Sequence, residues 1–114
     1  MERRSPRYTV WLPVRIADLE EGMAVSHNVS GRGILLVTAT TLDVGAQVSI
    51  VVQFPPEGSS ERKVTGRVVR VEPNKDDPEG IWPHRLAVEF DEAVPELEKA
   101  LASLAEAGIA NLQR

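Results

Sequence analysis

The chain has 114 residues, of which 42% are hydrophobic and 26% charged, with a formal net charge of −4; this length makes one domain with a core of its own and excludes two. It contains no cysteine, which excludes disulfides and thiolate metal sites. The charged start is followed by no apolar leader segment, and the longest apolar run, Ile34 to Val37, is far too short to cross a bilayer. The expectation is a cytoplasmic protein with no membrane insertion.

The charge is unevenly spread. Residues 1–16 carry Arg3, Arg4, Arg7 and Arg15 against Glu2 alone, whereas residues 91–106 carry Asp91, Glu92, Glu96, Glu98 and Glu106 against Lys99. A general nucleic-acid binder needs a broad basic face, so no DNA or RNA partner is expected. A localised anion site fits the asymmetry better.

Taken in chain order, the dominant pattern is alternation with period two, the mark of half-buried strands. Val10, Leu12, Val14 and Ile16 alternate with more polar neighbours, and Pro13 within that run marks an edge or a bend because proline cannot donate to a ladder. Met23 to His27 reads as a short strand and Gly33 to Thr38 as a well-covered one. Val48, Ile50, Val52 and Phe54 alternate until Pro55-Pro56 stops them. Lys63 to Glu72 is a long strand with a bend or bulge expected at Gly66, and Leu86, Val88 and Phe90 form the last. Turn signals separate these runs at 20–22, 42–45, 56–60 and 73–80. Five or six short strands of this kind indicate a small all-β barrel or sandwich. After Phe90 the period changes: Pro95 suits a first helical turn, Glu96 and Glu98 suit its dipole, and Leu97, Leu101 and Leu104 share one face. The spacing predicts an amphipathic helix from Pro95 to about Ala107, in a C-terminal helical segment over 95–112.

Catalytic constellations do not emerge. His27 and His84 have no partner at metal spacing, Val29-Ser30-Gly31-Arg32-Gly33 does not match a Gly-x-Ser-x-Gly nucleophile elbow, and the adjacent acidic pairs look like solvated turns. An enzyme, a metal site or a cofactor is not expected.

Two stretches carry more information. Arg3-Arg4-Ser5-Pro6-Arg7 uses arginine and no lysine, and a guanidinium grips phosphate bidentately, matches the O6/N7 edge of guanine and stacks on a purine. Asn28-Val29-Ser30-Gly31-Arg32-Gly33 joins two strands. Asn28 supplies an amide donor and acceptor for a base edge, Ser30 a compact hydroxyl, and Gly31 and Gly33 permit positive φ and close backbone approach.

Together, Arg-x-x-x-Arg (Arg3, Arg7) and Asn-x-Ser-x-x-Gly (Asn28, Ser30, Gly33) resemble the PilZ family. The likeness continues through Leu-Pro-Val-Arg, Gly-Ile-Leu-Leu, Asp-Val-Gly-Ala-Gln-Val, Val-Thr-Gly-Arg-Val-Val-Arg and Leu-Ala-Val-Glu-Phe. The resemblance implies an all-β fold, a small six-stranded antiparallel β-barrel with a C-terminal α-helix, in a bacterial protein that binds cyclic di-GMP. It implies that Arg3 and Arg7 clasp guanine and phosphate from an N-terminal arm (residues 1–8), that Asn28 and Ser30 hydrogen-bond the ligand from the barrel (residues 9–90), and that Gly33 shapes the turn. Arg4 is a further candidate phosphate contact, and Arg32 points to solvent. The arm is expected to be mobile when free, because it has nothing to bury and repels itself, and to close over the ligand so that a downstream protein is engaged. Ala87 stands where many relatives have glycine, and only Met1 and Glu2 precede Arg3, which leaves one bound nucleotide or a stacked pair both open. The alternative is a PilZ-like protein-interaction module that ignores nucleotide, using an exposed Trp82. A single-stranded nucleic-acid barrel is disfavoured by five aromatics in all, too few for stacking platforms.

Overall fold

The alternating runs pair into one antiparallel sheet in a computed structural model that describes residues 7–17, 23–39, 42–54, 60–75, 79–80, 82–108 and 110–112. Its elements are β1 (Tyr8–Thr9), β2 (Pro13–Ile16), β3 (Met23–Val29), β4 (Gly33–Thr38), β5 (Gln47–Phe54), β6 (Ser60–Pro73), β7 (His84–Phe90), α1 (Pro95–Glu106) and β8 (Asn111–Leu112). The strand order β2-β5-β6-β7-β4-β3 closes through a β2–β3 pairing, giving a six-stranded antiparallel barrel; β1 and β8 extend outward from β3. Closure removes the unpaired edges that a sheet of this size would otherwise expose.

The inward face of each strand supplies the core. Val14, Ile16, Ile34, Leu36, Ile50, Val52, Val68, Leu86 and Val88 are all buried, as period-two alternation requires. Leu97, Leu101 and Leu104 of α1 join the same cluster, so the helix covers part of the barrel with one apolar stripe. Pro95 opens it, Glu96 and Glu98 lie in its first turn, and Gly108, at φ 78°, ends it in the left-handed conformation that side chains disfavour.

Several boundaries differ from the sequence reading. The first apolar run is interrupted: β1 and β2 flank Val10–Leu12, which bows off the ladder. Buried Ser26 of β3 repairs the gap. Its hydroxyl accepts from Leu12 N at 2.9 Å and donates to Val10 O at 2.5 Å. Tyr8, assigned to a free arm, is buried in β1 between Val29 and Leu112, because its aromatic ring has a core to join. The helical segment does not reach residue 112; after Gly108 the chain turns back, and Asn111–Leu112 pairs with β1. Strands β3 and β6 are longer than the apolar pattern suggests, since backbone pairing continues through polar positions.

Two β-bulges decide which side chains face outward. In β3 the register shifts between Ser26 and Asn28, and in β6 between Val68 and Arg70. Uninterrupted alternation would place Asn28 on the inward face with Ser26, and Arg70 with Val68. The extra residues, His27 and Val69, reverse the phase. The expected irregularity at Gly66 is absent: Gly66 pairs regularly with Val48 and Phe90, and a Cβ there would collide with the Glu89 carbonyl. Glycine serves close strand approach there, not a bend.

Candidate functional site

The two bulges create a cross-strand row on the outer face. Asn28 pairs with Leu35, Leu35 with Ala87, and Ala87 with Arg70. An apolar floor of Leu35 and Ala87 thus has an amide at one end and a guanidinium at the other. All four line a cleft of about 630 Å³, which Arg7, Arg32, Gly33 and Val69 also border.

Arg7 directly precedes β1, and its Nη1 donates to Asn28 Oδ1. Asn28 Nδ2 lies 3.4 Å from His27 Nδ1, and the His27 ring meets Trp11 edge-on with centroids 5.1 Å apart. Burial, and then the like charge of Arg70, hold the Arg7 guanidinium below its ordinary pKa. Arg70 has a single weak ion pair among the described residues, with Glu72 at 3.8 Å on an exposed surface. Arg7 and Arg70 thus face one space as like charges, while Glu89, Asp91 and Glu92 border the same cleft; an anion held between the two guanidiniums relieves their repulsion.

Ser30 is buried, at 2% exposure, and organises the turn rather than lining the cleft. Its Oγ accepts from Arg32 N at 3.1 Å and Gly33 N at 3.2 Å, while its backbone N donates to Gly33 O at 2.9 Å. Gly33 borders the cleft, but positive φ is not its reason: among the described glycines only Gly45 and Gly108 adopt it. A Cβ on Gly33 would stand 2.7 Å from the Val88 carbonyl oxygen, so its absence lets β4 and β7 approach. Arg32 is exposed yet borders the cleft mouth. Arg3 and Arg4 lie outside the described residues.

The structure thus joins Arg7, Asn28 and Gly33 at one cleft and sets Ser30 beneath it. Sequence reasoning missed Arg70 and Leu35. Both occur in ordinary strand patterns, and only the bulge at Val69, in a run of valines and arginines with no glycine or proline to announce it, turns Arg70 toward Ala87. Trp82 is half-buried rather than exposed, and its carbonyl accepts from Asn74 Nδ2 at 2.7 Å. The exposed tryptophan is Trp11, at 60%. Among the described residues, no helix is long and apolar enough to cross a membrane.

A closed antiparallel barrel with a C-terminal helix and a charged cleft beside β4 and β7 defines a small all-β domain. A family model of the PilZ domain matches residues 2–107, and the chain belongs to that family. Among solved structures it is similar to the inhibitor of motility MotI/DgrA of Bacillus subtilis, with TM-score 0.71 and 21% identity over 95% of this chain. It is also similar to the PilZ domain of YcgR from Escherichia coli with c-di-GMP, with TM-score 0.67 and 17% identity over 95% of both chains. The chain spans 51% of the MotI/DgrA chain. A comparison with curated protein sequences gives no match.

Proposed function

We propose that the chain is a cyclic di-GMP receptor that binds without chemistry and relays occupancy to a downstream protein. The observation that carries this reading is the cleft itself. Arg7 is anchored on Asn28 and faces Arg70 across an apolar floor. A ligand with two phosphates and two flat purines complements that arrangement in charge and in shape. The YcgR PilZ domain with c-di-GMP, which shares the fold, supports the same ligand class. Arg3 and Arg4 complete the clamp from the preceding segment, and Ser30 acts by fixing the turn that presents Asn28 and Gly33. The reading carries with it a cytoplasmic location in a bacterium.

Isothermal titration with cyclic di-GMP tests the proposal. Saturable binding is expected, and Arg7→Ala should weaken it roughly 10- to 150-fold, the loss of one charge-assisted hydrogen bond of about 1.5–3 kcal/mol. No heat at protein concentrations well above micromolar would remove the ligand assignment. The second reading, a protein-contact module indifferent to nucleotide, draws on Trp11, whose 60% exposure on the outer barrel wall suits a partner surface; the same titration separates the two.

A further inference from the structure

Three carboxylates border a cleft whose other charged groups are arginines: Glu89, Asp91 and Glu92. Anions at a site for a phosphate-bearing ligand oppose binding unless each meets a hydrogen-bond donor. Asp91 already accepts from Gln47 Nε2 at 2.7 Å, and Glu92 lies in the bend beyond the last barrel strand. Glu89 differs from both. It stands within β7, on the outward face with Ala87, so the two side chains rise about 7 Å apart along the strand. Its cross-strand neighbours are Gly33 and Arg67. Gly33 places no side chain beside it, and among the described residues the Glu89 carboxylate makes no ion pair or hydrogen bond, Arg67 included.

We infer that Glu89 is a guanine-selecting group of the cleft, accepting hydrogen bonds from the N1–H and N2–H₂ edge of a purine laid over Leu35 and Ala87. The inference rests on the cyclic di-GMP reading and deepens it. An ionised carboxylate is acceptor-only. It matches the two adjacent donors of guanine and opposes the N1 acceptor of adenine. Asn28 uses one lone pair of its oxygen on Arg7 and holds its amide nitrogen beside His27, so Glu89 adds a charged acceptor to the capacity Asn28 retains. The separation of Glu89 from Ala87 is comparable to the length of a fused purine, so one base can contact both.

Titration of the full chain and of Glu89→Ala and Glu89→Gln with cyclic di-GMP, its inosine counterpart lacking the N2 amine, and cyclic di-AMP tests this. The wild type should prefer the guanine ligand, and Glu89→Ala should weaken cyclic di-GMP on the order of tenfold or more, the usual loss for a charge-assisted bond. The inosine ligand should change less, so selectivity should shrink. Glu89 is exposed on the barrel wall, and both variants should melt with the wild type. Wild-type binding with undiminished or tighter affinity in Glu89→Ala, or with unchanged selectivity, would overturn the role of Glu89 and leave the receptor reading standing. Failure of the wild type to bind any of the three would overturn both.

Discussion

Replacing Arg70 by alanine separates what the cleft does for a ligand from what it does for the fold. In the free protein Arg70 has a 3.8 Å ion pair with Glu72, the two side chains being 63% and 41% exposed; such exposed pairs stabilise by about 0.2–1 kcal/mol. Against that gain stands its repulsion of Arg7, the second cause of the lowered Arg7 pKa after burial. The two effects oppose each other, so Arg70→Ala should change the folded stability by less than about 1 kcal/mol, a shift in Tm of no more than about 4–8 °C for a domain near this size. With ligand the balance reverses. A guanidinium–phosphate bond of about 1.5–3 kcal/mol disappears, which weakens cyclic di-GMP by roughly 10- to 150-fold. The salt dependence of binding should also fall, because one cation fewer is screened. Calorimetric titration at two ionic strengths, with a thermal melt of each protein, reads all three quantities. Affinity within about twofold of wild type and an unchanged salt slope, well short of the loss expected for one charge-assisted bond, would refute the assignment of Arg70 to the ligand. A large fall in Tm would show that its role is structural.

Two further outcomes follow from the geometry of the barrel. Ser26→Ala leaves Leu12 N and Val10 O without their shared hydroxyl in a buried place, and should cost about 1–3 kcal/mol in urea denaturation; an unchanged midpoint would mean that the bowed segment does not need the serine. Gly33→Ala drives a Cβ to within 2.7 Å of the Val88 carbonyl, so β4 and β7 must part; the expected cost is about 1–3 kcal/mol, together with weaker ligand binding, and a variant that melts and binds like wild type would show that the strands yield freely.

The fold was legible because barrel strands and an amphipathic helix write their periods into side-chain polarity. Val48, Ile50 and Val52, and likewise Leu97, Leu101 and Leu104, declare their buried faces directly. Legibility failed where backbone geometry, rather than side-chain type, sets the outcome. Nothing about His27 or Val69 marks a bulge, yet those two residues decide that Asn28 and Arg70 face the cleft and not the core. The two glycines of the second motif suggest positive φ and close backbone approach to a ligand, whereas Gly33 serves close approach of another kind, between β4 and β7 beside Val88. Tyr8 and Asn111–Leu112 escaped because a two-residue strand has no period to detect; β1 exists only where β3 offers an edge, and β8 only where β1 does.

The second motif does more than border the cleft, and its backbone explains how occupancy reaches the helix in the proposed relay. Gly31 O accepts from Val94 N at 2.7 Å and Arg32 O from Phe90 N at 2.9 Å, so the turn that Ser30 shapes is bonded directly to the start of α1. No side chain caps that helix; the loop takes the place of a cap by fixing Val94. The Glu98 side chain lies over Gly31 closely enough that a Cβ there would meet its carboxylate oxygen at 2.9 Å. At the other end, Arg7 adjoins Tyr8, and β1 pairs on its outer edge with β8, which follows α1. Both halves of the cleft are therefore tied through backbone hydrogen bonds to opposite ends of one helix. A ligand that bridges Arg7 and the Asn28–Gly33 turn bears on both attachments at once, and α1 is the element through which the proposed relay would pass.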